Sequence, residues 1–162
     1  MIDNFIKEQK IRDKIIKYIR LLLKEVNKNI ILSYFNNLNS NDISTKTSDD
    51  DFVSIADKKS EELISKKLIG FLDIKNFIGE EASYIKKKKY FTLINERLVW
   101  VVDPIDGTKN YINGKDTFCS MISLVSFSIP IATFIYYPLK KTFVYGFKDF
   151  GVYSINIDTN KI

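Results

Sequence analysis

The sequence contains no histidine and a single cysteine among its 162 residues. The absence of histidine excludes histidine-based catalytic triads, histidine-ligated zinc and histidine acid–base catalysis. One cysteine, Cys119, allows neither an intrachain disulfide nor a cysteine-rich zinc site. Any chemistry must therefore use carboxylates, hydroxyls, lysines or bound metal ions.

The sequence also lacks signals for export and for membrane insertion. We expect no signal peptide, because no basic segment followed by an apolar core stands at the N-terminus. No stretch of about eighteen uncharged apolar residues predicts a transmembrane helix. Cys119 lies in the apolar run 118–125, which favours a buried, unreactive thiol over a nucleophile. Cysteine usage without disulfides is typical of the cytoplasm, and we predict a cytoplasmic location.

The charge is moderately basic, with a net charge of +5 and a pI of about 9.1. Such a surface attracts phosphates, nucleic acid or anionic lipid. The densest run of basic residues is Lys86–Lys89. It lacks the interleaved arginine and aromatic residues of a nucleic-acid module, so a solvated loop is favoured over a polyanion-binding patch.

The first part of the sequence predicts helices. Apolar residues recur at spacings of three and four over residues 5–35, as in a helix with one core-facing side. A lysine-rich helix on a membrane surface is the less favoured alternative. A short strand or hairpin is predicted within residues 46–56. A second helix is predicted from Asp57, as N-cap, to about Ile69, with Gly70 as the stop signal.

The second part predicts strands. The apolar run 98–102 is continuous, as expected for a strand buried on both faces. Further strand-like runs, separated by turn residues, cover 118–125, 129–137, 142–147 and 151–157. Helices followed by strands indicate an α+β fold, with N-terminal helices packed on a mostly antiparallel sheet. We expect one domain over residues 1–162.

The strongest chemical signal follows the apolar strand, where the sequence reads Trp100-Val-Val-Asp-Pro-Ile-Asp-Gly-Thr108. The strand delivers Asp103 and Asp106 into a tight turn. Two nearby carboxylates repel each other unless cations lie between them, and oxygen ligands suit Mg²⁺, Mn²⁺ or Ca²⁺. Gly107 lets the backbone approach a ligand closely. The amides after it would face an anion if a helix begins there.

Three weaker signals lie upstream: Lys46, Asp57 and the turn Gly79-Glu80-Glu81. Each has an ordinary interpretation by itself, as a solvated lysine, a helix cap or an exposed acidic turn. Together with the Asp-Pro-Ile-Asp-Gly-Thr motif, their order resembles the inositol monophosphatase family of the lithium-sensitive, Mg²⁺-dependent sugar phosphatases. The resemblance implies the first half of a layered αβαβα fold. It also implies that the C-terminal α/β domain, with its late aspartate motif, is absent from this chain.

The resemblance assigns roles to individual residues. It implies metal ligation by the carboxylates of Glu80, Asp103 and Asp106 and the carbonyl of Ile105. It implies catalytic roles for Glu80, for Asp57 and for Thr108, whose hydroxyl would position the attacking water. The residues implied in binding the substrate phosphate are Gly107, Thr108, Lys46 and Asp106. Glu81 is implied as a support for Glu80.

The resulting hypothesis is a Mg²⁺-dependent phosphomonoesterase acting on a small phosphorylated metabolite such as inositol monophosphate, with an incomplete site in this chain. The alternatives are a 3′(2′),5′-bisphosphate nucleotidase or histidinol-phosphatase relative, and a truncated, non-catalytic protein that binds metal or phosphate. A basic surface-binding protein is a third class. We expect no nucleic-acid or membrane partner, and a homodimer is left open.

Overall fold

The computed structural model describes residues 5–46, 51–85 and 92–159. The lysine run at residues 86–89 lies outside these ranges, so the solvated loop stays a prediction. In the described part of the chain, no helix is long and apolar enough to cross a lipid bilayer.

A long helix forms the N-terminal part of the fold. Helix α1 spans Gln9–Val26 and continues through a π-helical turn, Asn27–Ile31, into Leu32–Tyr34. This confirms the helix predicted over residues 5–35, with a later start. Its apolar side faces the core rather than a membrane, and the buried apolar residues of α1 are Ile15, Ile19, Leu22, Leu23 and Val26.

A small hairpin and a second helix follow. Strands β1 (Ile43–Thr45) and β2 (Phe52–Ser54) pair antiparallel, which confirms the predicted hairpin but places its first strand further upstream. Helix α2 spans Ile55–Leu68. It stops as predicted, because Gly70 takes a left-handed conformation with φ of 91° that glycine adopts without steric cost.

The predicted N-cap of α2 was wrong: the cap is Ser54, and Asp57 lies three residues further on. Ser54 Oγ accepts a hydrogen bond from the amide of Ala56, and Asp57 Oδ2 accepts one from the amide of Ser54 at 2.8 Å. This reciprocal arrangement is a capping box. The capping box uses Oδ2 of Asp57, whereas Oδ1 faces Thr108.

Six strands form the main sheet, in the order β3-β4-β5-β6-β7-β8. Strands β3 and β4 are parallel and every other neighbouring pair is antiparallel, which confirms the α+β fold with a mostly antiparallel sheet. The strands are β3 (Asn76–Gly79), β4 (Val99–Asp106), β5 (Cys119–Ser126), β6 (Ile129–Tyr137), β7 (Thr142–Phe147) and β8 (Gly151–Asn156). Two short helices follow β3 and β4, namely α3 (Glu80–Ile85) and α4 (Thr108–Ile112).

The two faces of the sheet differ. One face packs against α1 and α2, and its side chains are fully buried at Trp100, Ile122, Phe134 and Phe143. The opposite face is buried at one end, where Ile78, Val99 and Val125 form a second cluster, and is half-buried further along, as at Val101 of β4. The prediction of a strand buried on both faces therefore holds for most of the apolar run in β4, but not for Val101.

Candidate metal and phosphate site

Two parallel strands end side by side and bring acidic residues together. In the β3–β4 pair, Gly79 lies opposite Val102. Glu80 is the next residue after β3, and Asp103 is the next residue in β4. A register shift between Asp103 and Asp106 interrupts the pairing with β5. Irregularities of this kind change the direction of side chains at strand ends. The candidate site therefore lies at the carboxyl ends of β3 and β4.

The carboxyl groups of Asp103 and Glu80 interact with each other. Burial, reinforced by the negative charge of Glu80, raises the pKa of Asp103 to about 8. Oδ1 of Asp103 is buried and has no hydrogen-bond partner among the described residues. An unsatisfied buried carboxylate oxygen is costly, and a cation would remove that cost.

Lys46 supplies positive charge to this acidic cluster. Its Nζ lies 2.8 Å from Oε1 of both Glu80 and Glu81, and its side chain is only 7% exposed. Burial by itself would lower the pKa of Lys46, but the hydrogen bonds and charges of the two glutamates raise it above its ordinary value. Burial raises the pKa of Glu81 to about 7, although Lys46 opposes this rise. The predicted phosphate-binding lysine thus contacts the predicted metal-binding turn.

The structure also places Thr108 beside Asp57. Thr108 Oγ1 lies 3.2 Å from Asp57 Oδ1 and 2.8 Å from the carbonyl oxygen of Ile105. Asp57 is fully buried, and burial raises its pKa against the opposing effect of its hydrogen bonds to Ser54 and Thr108. The hydroxyl is therefore held between a carboxylate and the carbonyl that the resemblance implies as a metal ligand. The catalytic roles of these residues stay predictions.

Gly107 makes the sharp turn between β4 and α4. Its φ is 87°, and a Cβ at this position would lie 2.9 Å from the carbonyl oxygen of Thr117. Both conformation and space therefore require glycine. The sequence predicts that the amides after Gly107 face an anion if a helix begins there. Helix α4 does begin at Thr108.

Asp106 is exposed, and its Oδ2 lies 3.7 Å from Cys119 Sγ, which donates a hydrogen bond to it. Cys119 is buried as predicted. Burial and the neighbouring Asp106 raise the pKa of its thiol to about 12. A thiol that stays protonated at neutral pH is a poor nucleophile, in agreement with the expected unreactive cysteine.

Sequence reasoning missed Glu61. This residue of α2 is 6% exposed, and its carboxylate accepts hydrogen bonds from the amides of Glu81 and Ala82. Burial raises its pKa, whereas these two hydrogen bonds lower it. The available signal was its spacing, since Glu61 lies one helical turn after Asp57 and so shares its side of α2.

The charge of the cluster fits a cation. Three of the acidic side chains, Glu61, Glu80 and Glu81, interact with Lys46. The cluster of carboxylates that interact with one another has six members: Asp57, Glu61, Glu80, Glu81, Asp103 and Asp106. Such an excess of negative charge is stabilised by divalent cations that prefer oxygen ligands. Across residues 5–46, 51–85 and 92–159, however, no group of three or more acidic, histidine or cysteine side chains has the spacing of a finished metal centre.

The sequence is similar to those of known proteins. The sequence matches the inositol monophosphatase family over residues 12–161. It is 36% identical over 103 residues to a fructose-1,6-bisphosphatase/inositol-1-monophosphatase of Aquifex aeolicus, covering 64% of this chain and 36% of that protein. It is 29% identical over 109 residues to the 3′(2′),5′-bisphosphate nucleotidase CysQ of Haemophilus influenzae, covering 67% of this chain and 39% of that protein.

The fold is also found in solved structures. A crystal structure of staphylococcal inositol monophosphatase-1, in an inhibitory complex soaked with LiCl, superposes with a TM-score of 0.72 at 23% sequence identity. The match covers 90% of this chain and 52% of that structure, so this chain spans about half the length of its solved relative. Since the family match extends over most of the sequence, the chain belongs to the inositol monophosphatase family.

Proposed function

We propose that this chain carries the metal- and phosphate-binding residues of a Mg²⁺-dependent phosphomonoesterase that hydrolyses a small phosphorylated alcohol such as inositol monophosphate. The observation that carries the proposal is the buried Oδ1 of Asp103, which has no hydrogen-bond partner within residues 5–46, 51–85 and 92–159. Asp103 interacts with Glu80 and Asp106, and Glu80 also pairs with Lys46. Membership of the inositol monophosphatase family supports the same reaction class.

The proposed ligands are the carboxylates of Glu80, Asp103 and Asp106 and the carbonyl of Ile105. A bound Mg²⁺ would supply an activated water and offset negative charge on the phosphate. Glu80 pairs with Lys46, and Asp106 accepts a hydrogen bond from Cys119. Small rotations of these two side chains would therefore be needed to turn both carboxylates toward a metal ion. Among available ions, Mg²⁺ suits such oxygen ligands and retains several waters of its own.

The protein groups around the ligands would bind and orient the reactants. Asp57 accepts a hydrogen bond from the Thr108 hydroxyl, which leaves the hydroxyl oxygen free to accept one from a water. The amides of Gly107 and Thr108 and the ammonium of Lys46 would hold the phosphate. Each of these contacts places a donor or a positive charge where the phosphate is negative.

Thr108→Ala tests this orientation. In an assay in which the wild-type protein turns over, the variant is expected to lower kcat by about 10²–10⁴-fold, the usual effect of losing a positioned proton-transfer group. KM should change little, because the hydroxyl acts mainly in the transition state. Thr108→Ser keeps the hydroxyl and should retain most of the activity. Wild-type kcat in Thr108→Ala would remove Thr108 from the mechanism.

A bisphosphate nucleotidase is the second candidate, favoured by the match to CysQ. The deciding experiment measures Mg²⁺ binding by calorimetry, followed by phosphate release from inositol 1-phosphate and from 3′-phosphoadenosine 5′-phosphate. Asp103→Asn should bind Mg²⁺ far more weakly, and LiCl should inhibit turnover. Mg²⁺ and phosphate binding without turnover would indicate the non-catalytic alternative. Unchanged Mg²⁺ affinity in Asp103→Asn would refute the metal site.

A further inference from the structure

We propose that Glu61 is a positioning residue, which holds the Glu80 carboxylate in place for a metal ion by fastening the backbone that follows it. This inference rests on the proposed function, because it assigns a role within the same site. Glu61 itself does not belong to the proposed ligands.

The contacts of Glu61 are specific to the turn that carries Glu80. Glu61 Oε2 accepts a hydrogen bond from the amide of Glu81 at 2.7 Å, and Oε1 accepts one from the amide of Ala82 at 2.8 Å. These amides belong to the first turn of α3, where backbone N–H groups have no partner within the helix. Both oxygens of one buried carboxylate are thus used to attach the start of α3 to α2.

The absence of a side chain at Gly79 leaves space for the Glu61 carboxylate. A Cβ at Gly79 would overlap the carboxylate of Glu61, and all three nearest atoms belong to that group. The φ of Gly79 is not positive, so a side chain here is opposed by the Glu61 carboxylate and not by the backbone conformation. The residues on either side of Glu80 are therefore both adapted to Glu61: Gly79 admits its carboxylate, and Glu81 donates to it.

The arrangement limits where the Glu80 side chain can go. Glu80 is the junction between β3 and α3, and the β3–β4 pairing fixes the strand on one side of it. Glu61 fixes the helix on the other side. Residues that hold metal ligands in place without touching the metal commonly contribute about 10–100-fold to metal affinity. Loss of the two hydrogen bonds that Glu61 accepts, called here the Glu61 clamp, should therefore weaken metal binding.

The test measures Mn²⁺ binding to the full chain by calorimetry, in wild type and in two variants that break the clamp differently. Glu61→Gln retains the shape of the side chain but places an amide donor against one backbone N–H. Gly79→Ala displaces the carboxylate but keeps its charge. Each is expected to weaken Mn²⁺ binding roughly 10–100-fold. Glu62→Gln is the matched control, since the neighbouring Glu62 is exposed and pairs with Lys66, and it should leave the affinity unchanged.

A double-mutant cycle separates positioning from general stabilisation. In a Glu61→Ala background the added methyl of Gly79→Ala has room, so the second change should cause no further loss of Mn²⁺ affinity, whereas independent effects would add. Circular dichroism confirms that each protein is folded. Wild-type Mn²⁺ affinity in folded Gly79→Ala, or additive losses in the cycle, would overturn the positioning role alone. Absence of Mn²⁺ binding by the wild type would overturn the proposed function together with it.

Discussion

At the residue scale, burial raises the pKa of Asp103 to about 8, and the charges of Glu80 and Asp106 add to this rise. An ordinary aspartate in the unfolded chain has a pKa near 3.9. The folded chain therefore holds a proton that the unfolded chain releases. This contribution to stability is fully present below about pH 4 and is lost as the pH rises toward 8.

Asp103→Asn should remove that dependence. In EDTA, the variant is expected to be more stable than wild type at pH 8, because the amide buries no charge. The expected gain is about 0.5–2 kcal/mol, as is common for a single stabilising substitution. The difference should vanish near pH 4, where the wild-type carboxyl is protonated. Urea unfolding at several pH values measures it. A difference that does not change with pH would mean that Asp103 is already ionised in the folded chain.

Lys46 has the opposite charge and the opposite effect on a metal. Its ammonium lies against Glu80 and Glu81, so it competes with any cation for these carboxylates. Lys46→Gln should strengthen Mg²⁺ binding roughly tenfold, equivalent to about 1.4 kcal/mol. It should weaken the binding of inorganic phosphate, which loses a positive charge.

Calorimetry with Mg²⁺ and with phosphate checks both effects. Lys66→Gln is the control, because Lys66 forms an exposed ion pair with Glu62, and such pairs contribute little. Weaker Mg²⁺ binding in Lys46→Gln would show that the lysine organises the ligands rather than competing for them.

At the element scale, α2 joins the parts of the site. Its N-terminal turn carries Asp57, which contacts Thr108, and one turn later Glu61 holds α3. The helix is aligned by the capping box at Ser54. The capping box therefore stabilises the start of α2 and also orients the Asp57 side chain.

Ser54→Ala should lower the free energy of unfolding by about 1 kcal/mol, typical of a lost helix cap. It also removes the 2.6 Å hydrogen bond from Ser54 Oγ to Asp57 Oδ2. Urea unfolding measures the loss. Ser65→Ala is a suitable control on the same helix, since the exposed Ser65 hydroxyl donates a local hydrogen bond to the carbonyl of Glu62. Equal effects of the two changes would contradict a special role for the cap.

At the scale of the whole molecule, the two faces of the sheet should respond differently to mutation. Met121 and Ile122 are neighbours on β5, but Ile122 is fully buried against the helices and Met121 is half-buried on the opposite face. Ile122→Ala should cost about 2–5 kcal/mol of unfolding free energy, as for other large-to-small core changes. Met121→Ala should cost clearly less. Comparable losses in urea unfolding would mean that both faces are equally packed.

Much of the fold could be predicted because it depends on local patterns. The spacing of apolar residues indicated α1, and alternating or continuous apolar runs indicated the strands; β6 (Ile129–Tyr137) and β7 (Thr142–Phe147) have the predicted bounds. Helix capping was harder, because aspartate is favoured both at the cap and three residues later. Asp57 was therefore assigned to the wrong position of α2.

The sequence indicated a candidate site because the order of Lys46, Asp57, Glu80 and the Asp-Pro-Ile-Asp-Gly-Thr motif resembles one family. The tertiary structure decided which of these groups touch. Pairing of β3 with β4 brought Glu80 to Asp103, and the contact of α2 with α3 brought Glu61 to the amides of Glu81 and Ala82. Neither contact is local in sequence. Burial, which follows only from packing, then set the raised pKa values, since removing carboxylates from water disfavours their charged form.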